Sequence, residues 1–322
     1  MKVLVTGGAG YIGSSLVPYL LAQNHQVRVL DSLMHGGESL LGVWSNPSFQ
    51  FMLGDIRESA KMADALNGVD AVVHLAAIVG DPACSRDAEL SKSVNLDASL
   101  DLLQRCNREG VKRLIFASTC SNYGKMADPD KLLDEDSELR PVSLYAETKV
   151  AVEKEILRTV NGGPLCPTLL RFATIFGVSP RMRFDLTVNE FTAELIRKKH
   201  LTVFGEQFWR PYVHVKDAAR AIARVLESEE SLVRGTVFNV GSTDQNFRKQ
   251  DLVEMMRSHA PDAIVEYVHK KEDPRDYRVS FARIAQQLGF QISITVSQGI
   301  EEVARLIKSD VITDYEHKRY RN

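Results

Sequence analysis

The chain has 322 residues, 44% of them hydrophobic, and a formal net charge of −2. That length supports one large or two modest domains with a sizeable core, and the balanced charge provides no basic field for nucleic acid. Its four cysteines show no C-x-x-C or metal spacing, no apolar run reaches the roughly 18 residues of a membrane span, and no secretory leader pattern precedes Val3, so the reading is a reduced, cytoplasmic protein with no metal, nucleic acid or membrane among its partners.

The first predicted strand, 2–6, is β-branched and apolar and runs straight into Gly7-Gly8-Ala9-Gly10-Tyr11-Ile12-Gly13; a helical pattern follows from Ser14 to about Gln23. Gly8, Gly10 and Gly13 satisfy G-x-G-x-x-G, and Gly7, Gly10 and Gly13 satisfy G-x-x-G-x-x-G. Either spacing serves one purpose. The turn tolerates positive φ, backbone without Cβ admits a pyrophosphate, and the unpaired N–H groups of a helix N-terminus face the anion. Between a strand and a helix, this loop predicts dinucleotide binding. Gln26 to Leu30 reads as the second strand, ended by Asp31, near the offset of about 20 residues at which an acid accepts from a ribose 2′-OH. Ser32-Leu33-Met34 offers no Arg or Lys to a 2′-phosphate, so the predicted cofactor is NAD rather than NADP.

A loop from Ser32 to Asn46 leads to a third strand, 48–53, and then to Gly54-Asp55-Ile56-Arg57. From the residues alone, Asp55 and Ile56 could bracket an adenine, or Asp55 could cap the helix from Glu58 to Leu66. Asp70 to Ala77 is a continuous apolar run, as expected of a strand buried on both faces, and His74 within it reads as a satisfied core histidine. Ile78 to Cys84 reads as a loop at that strand's C-terminal end, where open α/β sheets bind ligands. Asp81 and Cys84 are therefore pocket candidates. Asn95 is read as the start of an amphipathic helix carrying Leu96, Leu100, Leu102 and Leu103.

The fifth strand, 112–117, delivers Ser118-Thr119-Cys120-Ser121-Asn122-Tyr123-Gly124 to the same end of the sheet. Tyr145 and Lys149 then fall one helical turn apart on one face. A phenol with a pKa of about 10 is a poor base at neutral pH. A nearby ammonium, together with a cationic nicotinamide, would favour the phenolate. Tyr145 could then take a proton from a sugar hydroxyl while hydride leaves the same carbon, with Thr119 holding that hydroxyl in line.

Taken together, Thr6 to Gly13, Asp31, Gly54-Asp55-Ile56, His74-Leu75-Ala76-Ala77, Ser118-Thr119 with Tyr123-Gly124, and Tyr145-Ala146-Glu147-Thr148-Lys149 resemble the extended short-chain dehydrogenase/reductase family of NAD-dependent nucleotide-sugar epimerases and dehydratases. Leu170-Arg171-Phe172, Arg210 to Asp217 and Leu288-Gly289-Phe290 extend the resemblance over nearly the whole chain. It implies an α/β fold: a Rossmann-type doubly wound parallel sheet over 1–177, with a return segment near 211–243, and a smaller C-terminal α/β substrate-binding domain from 178–210 and 244–322. It implies Thr119, Tyr145 and Lys149 as catalytic residues. Cofactor contacts would come from Gly7, Gly10, Tyr11, Ile12, Gly13, Asp31, Asp55, Ile56, Leu75, Ala76, Ala77, Asn95, Tyr145 and Lys149. Substrate contacts would come from Asp81, Cys120, Ser121, Thr174, Asn189, Phe204, Arg210 and Arg275, the two arginines meeting the diphosphate and Phe204 the base. A homodimer is implied, paired through the helices after Asn95 and around Tyr145.

In the second half, 168–177 reads as a sixth strand, and Val178 to Asp185, with one proline and three charges, as the loop into the substrate domain. Arg181 and Arg183 in that loop are weaker pocket candidates. A helix over 188–198, short strands over 201–205 and 211–215, a return to the main sheet over 237–241, and amphipathic helices over 247–260 and 296–308 complete the prediction. The polar stretch from Asp314 to Asn322 is expected to fray.

The segment after Thr119 bears on the reaction. Sugar 4,6-dehydratases and the related decarboxylases of this family keep acids there, and this chain has Cys120 and Ser121. The 3,5-epimerases place a cysteine two residues before the tyrosine, whereas Cys120 is three before Tyr123. What remains is oxidation and re-reduction at one sugar carbon, read first as 4-epimerisation. The alternatives are a net nucleotide-sugar dehydrogenase or keto-sugar reductase, and a non-catalytic NAD-binding sensor.

Overall fold

The computed structural model describes residues 1–126, 128, 131–160, 163–271 and 275–322. Seven strands form one parallel sheet: β1 (Lys2–Thr6), β2 (Gln26–Asp31), β3 (Phe49–Leu53), β4 (Ala71–His74), β5 (Arg113–Thr119), β6 (Cys166–Phe172) and, after three strands that lie elsewhere, β10 (Thr236–Val240). Their spatial order is β10-β6-β5-β4-β1-β2-β3. The order reverses between β1 and β4, which opens a crevice at the C-terminal strand ends.

Alternation along each strand feeds two apolar layers. Val3 and Val5 pack into one and Leu4 into the other. The first layer is covered by α1 (Gly13–Ala22), through Leu16, Val17 and Leu20, and by α8 (Val215–Glu227), through Ala219, Ile222 and Leu226. The second is covered by α2 (Ser59–Leu66), α5 (Ala98–Arg108) and α6 (Leu144–Thr159), through Met62, Leu102 and Ile156. Each fully buried aliphatic side chain contributes about 1.5–3 kcal/mol. His74 is buried in this layer; its Nδ1 pairs with Thr6 Oγ1 at 2.7 Å and its Nε2 with Ser99 Oγ at 2.9 Å, as expected of a satisfied core histidine.

From β4 onward the chain departs from its sequence reading in three places. The segment after β4 is a loop only to Gly80; α3 (Asp81–Arg86) follows, so Asp81 opens a helix. Asn95 does not begin a helix. It sits in a π-helical turn, Ser93–Asp97, between α4 (Ala88–Lys92) and α5. The predicted sixth strand is two strands, because the chain leaves the main sheet at Ala173: β6 stays in it, while β7 (Thr174–Phe176) joins β9 (Trp209–His214) and β11 (Asn246–Arg248) in a second sheet.

A third pair of strands, β8 (His200–Phe204) and β12 (Ile264–Val268), lies parallel. Around these sheets pack α7 (Thr187–Arg197), α10 (Lys249–Met256) and α12 (Val296–Lys308), sharing Val188, Leu195, Leu252, Val253, Val296 and Ile300 in one core. Thr295 caps α12, its Oγ1 accepting from Gln298 N while the Gln298 side chain accepts from Thr295 N. Two short helices, α9 (Glu230–Val233) and α11 (Ala282–Leu288), flank β10. The predicted helix over 247–260 is narrower: β11 takes its start and a 3-10 turn its end.

The segment from Asp314 to Asn322 does not fray. Tyr315 is buried beside Phe184, Ile307 and Tyr320, and Phe184 N donates to Tyr320 O at 2.9 Å. Among the described residues no helix is long and apolar enough to cross a membrane.

Candidate active site

The crevice at the β1–β4 switch holds a cavity of about 790 Å³. Its floor is the glycine loop. Gly7 has φ +73°, and a Cβ there would stand 2.7 Å from Ala76 N. A Cβ on Gly13 would stand 2.5 Å from the Gly7 carbonyl oxygen. Both positions therefore require glycine to bring the loop against β4 and to start α1 close to β1. Gly7, Gly10, Tyr11, Ile12 and Gly13 all line the cavity, at the N-terminus of α1. This cradle fits the pyrophosphate of a dinucleotide.

Asp31, at the end of β2, lines the same cavity. Its Oδ2 accepts from Ala9 N at 2.9 Å and its Oδ1 from Leu33 N at 2.8 Å, which fixes the carboxylate and leaves each oxygen a further lone pair. Burial raises its pKa above the usual carboxylate value, against those two hydrogen bonds. Asp55 and Ile56 line the far end. Asp55 does not cap α2; it forms a bidentate pair with Arg57, at 3.0 and 2.7 Å, which holds the carboxyl below its ordinary value. Leu75, Ala76 and Ala77 form the wall after β4. Asn95 does not line the cavity: it is buried, its Oδ1 accepting from Ile78 N and its Nδ2 donating to Ile78 O, both at 2.8 Å, so it clasps the loop that does.

Thr119, Tyr145 and Lys149 converge on the crevice from β5 and α6. Ser143 caps α6, accepting from Ala146 N, and so places Tyr145 in its first turn. Thr119 Oγ1 accepts from Ser121 N at 3.1 Å, leaving its own proton to donate toward a ligand. Beside it, Ser118 Oγ donates to Glu153 Oε1 at 2.5 Å, and Glu153 is paired with Arg171 at 2.7 Å in full burial. Lys149 Nζ donates to Ala117 O at 2.9 Å and lies 4.7 Å from the centre of the Phe116 ring. Burial pushes its pKa down to about 8. The same burial drives the Tyr145 phenol up, with smaller contributions from Cys84 and Asp81 raising it and Arg183 lowering it. Removing both groups from water disfavours both charged forms.

Of the substrate candidates, Asp81, Ser121, Thr174, Arg210 and Arg275 line the cavity. Arg275 Nη1 meets Asp81 Oδ2 at 2.8 Å, and Arg210 donates to the carbonyls of Trp209 and Arg275 while stacking on Tyr277. Three candidates lie outside. Cys120 is buried under β6, its Sγ 3.3 Å from Arg171 O, and burial drives its thiol pKa up. Asn189 is a buried hub that accepts from Gly177 N and donates to Tyr11 Oη and Arg183 O. Phe204 is half exposed and off the cavity. Cys84, on α3, is buried and also off it.

The sequence reading missed His35, Lys249, Tyr277, Arg321 and Asn322, all of which line the cavity. The last two had a signal. Ile312, Tyr315 and Tyr320 are apolar anchors that pin the polar stretch to α12, and Asn322 N donates to Asp185 Oδ2 at 3.2 Å.

The comparisons agree with this geometry. Residues 3–241 match the model of the NAD dependent epimerase/dehydratase family. A UDP-glucose 4-epimerase of Corynebacterium glutamicum is 29% identical over 308 residues, covering 90% of each chain. One from Lactobacillus helveticus is 31% identical over 260 residues, covering 75% of this chain and 77% of that one. The crystal structure of the Thermus thermophilus UDP-glucose 4-epimerase in complex with NAD superposes with a TM-score of 0.83 at 26% identity, covering 97% of this chain and 100% of that one. The chain belongs to the NAD dependent epimerase/dehydratase family.

Proposed function

We propose that the enzyme is a nucleoside-diphosphate-sugar 4-epimerase, working by oxidation and re-reduction of one sugar carbon. The observation that carries this reading is the convergence of Thr119, Tyr145 and Lys149 beside a glycine-loop cradle, with no carboxylate at positions 120 and 121. Bound NAD would supply the hydride acceptor and return the hydride. Gly7, Gly10 and Gly13 would receive its pyrophosphate, Asp31 a ribose hydroxyl, and Asp55 and Ile56 its adenine.

Tyr145 takes the proton of the C4 hydroxyl as that carbon loses hydride, and Thr119 holds the hydroxyl oxygen by donating to it. Lys149, cationic below about pH 8, steadies the developing phenolate. With NAD bound, re-reduction at the other face of the turned keto sugar would be matched by Tyr145 giving the proton back. A dehydratase or decarboxylase needs a further acid or base beside the same carbon, and Cys120, buried and turned away, is not one. Arg210 and Arg275 support the diphosphate, Thr174 and Ser121 the sugar. We divide the chain at Gly177 into a cofactor half, with β10 returning to it, and a substrate half. A homodimer through α5 and α6 and a reducing, cytoplasmic setting, in line with four free buried cysteines, complete the reading.

The test is proton NMR of UDP-, dTDP- and GDP-sugars incubated with enzyme and substoichiometric NAD in D2O. An epimer without deuterium at the inverted carbon is expected. A keto sugar formed only in proportion to added NAD would replace the epimerase with a dehydrogenase.

A further inference from the structure

Arg181 is a cation with an unusual setting. It is only 6% exposed, its Nε has no hydrogen-bond partner, and no carboxylate lies within salt-bridge distance among the described residues. Buried charges are ordinarily paired, because the field of water has been removed from them. Arg183, two residues on, follows that rule through a bidentate contact with Asp185, at 3.0 and 2.8 Å. Arg181 does not.

Its placement is fixed. Arg181 N donates to Ser14 Oγ at 3.2 Å, in the first turn of α1, and its Nη2 donates to Arg321 O at 3.1 Å. Arg181 and Arg183 line the cavity together with Gly10, Tyr11 and Gly13. Their charges, after burial itself, push the neighbouring His35 down to about 4, so the imidazole is neutral at physiological pH and adds no competing cation. A buried guanidinium with no carboxylate in hydrogen-bond contact thus lines the cavity beside the N-terminus of the ten-residue helix α1, where an anion settles.

We propose that Arg181 is the cationic partner of a diphosphate seated on the N-terminus of α1, clamping from the 178–185 loop what the glycine loop cradles from below. The inference rests on the NAD reading above. A diphosphate has two sources in such an enzyme, the dinucleotide and the sugar nucleotide. The backbone bond from Arg181 N to Ser14 Oγ places Arg181 at the α1 end of the cavity, on the dinucleotide's side, whereas Arg275 and Arg210 stand beside Asp81 and Tyr277. Because Arg181 is anchored to Arg321 O, the segment from Asp314 to Asn322 backs the cofactor site.

The experiment is calorimetric titration of Arg181→Met and Arg181→Lys, with nucleotide-free protein against NAD, ADP-ribose and adenosine, and NAD-loaded protein against UDP. Arg181→Met is expected to weaken NAD and ADP-ribose alike by roughly ten- to a hundredfold and to leave adenosine and UDP within about twofold. Arg181→Lys, which keeps the charge without the fork, is expected to fall between. The nucleotide-free Arg181→Met protein should melt no lower than wild type, since an unpaired buried cation has been removed; an arginine held only for structure would lower the melt. Unchanged NAD and ADP-ribose affinities overturn the proposal. So does a loss confined to UDP, which would give the site to the sugar nucleotide, or an equal loss for adenosine, which would mean a damaged fold. If wild type binds no NAD, the functional reading falls with it; if wild type and both variants bind NAD equally, only the Arg181 inference falls.

Discussion

Lys149 Nζ lies 5.9 Å from the centre of the Tyr145 ring and donates to the Ala117 carbonyl rather than to the phenol. The lysine is thus a fixed positive charge near the tyrosine, not its hydrogen-bond partner. Burial dominates both groups, raising Tyr145 and lowering Lys149 to about 8. A phenolate at neutral pH therefore needs the further positive charge that an oxidised nicotinamide brings.

Removing the phenol removes the proton acceptor, so Tyr145→Phe should lower turnover by roughly 10²–10⁴-fold, with NAD affinity within a few-fold of wild type. Steady-state kinetics and an NAD titration check both halves. Turnover within threefold of wild type would eliminate Tyr145 as the base.

His74 is expected to contribute to acid sensitivity. Burial first, and then the charge of Lys149, lowers its pKa to about 3 from an ordinary 6.5. Below about pH 6.5 the unfolded chain takes up a proton that the folded chain refuses, so stability falls as the pH drops toward 3. The slope from this one group approaches about 1.4 kcal/mol per pH unit. Urea unfolding of wild type and His74→Gln across that window measures it; the variant should show a shallower acid limb. Parallel limbs would place the acid sensitivity elsewhere.

Cys120 illustrates a role that position alone misassigned. It follows Thr119 directly, yet its Sγ turns toward Arg171 O and away from the cavity. Cys120→Ala should keep kcat within about threefold and cost about 1 kcal/mol of stability. A hundredfold loss of kcat with an unchanged melting temperature would restore it to the chemistry.

Asn189 was expected at the substrate, and the structure makes it the tie between the glycine loop and the end of β7. Replacing it with leucine leaves Gly177 N and Arg183 O without this partner and removes the donor to Tyr11 Oη. The expected cost is about 3 kcal/mol, read as a lower melting temperature in the absence of any ligand. An unchanged melt with a raised KM for the sugar nucleotide would instead favour direct contact.

The main sheet was legible because its strands carry long apolar runs and its crossovers carry helical periodicity. Gly7 to Gly13, Asp31 and the Tyr145–Lys149 pair were legible because local geometry alone places them at strand ends or on one helical face. The substrate half was not, for physical reasons. β7 and β11 are three residues each, too short for alternation to register. Ala173 passes unnoticed in sequence, although the chain changes sheets there. Cys120 sits between two pocket residues in sequence and Asn189 two positions after one, yet which way each side chain points depends on packing between distant segments, and Phe204 lies on a strand whose residues do not reach the cavity.

The Asp81–Arg275 pair supplies the last prediction. The two side chains meet at 2.8 Å across the cavity, one from the start of α3 and the other from the segment before Tyr277, and both remain partly exposed. A diphosphate that uses Arg275 meets a guanidinium whose Nη1 is already bonded to Asp81, so the carboxylate's charge opposes the ligand. Asp81→Asn keeps the shape and removes the charge, and should tighten UDP binding to the NAD-loaded enzyme by several-fold. Arg275→Met should weaken it by roughly tenfold or more. The pair is solvent-screened, so the advantage of Asp81→Asn should shrink as salt rises. Titrations at low and high ionic strength measure this directly. Weaker UDP binding in Asp81→Asn would mean that Asp81 instead orients Arg275 for the ligand, and the double variant would then behave like Arg275→Met alone.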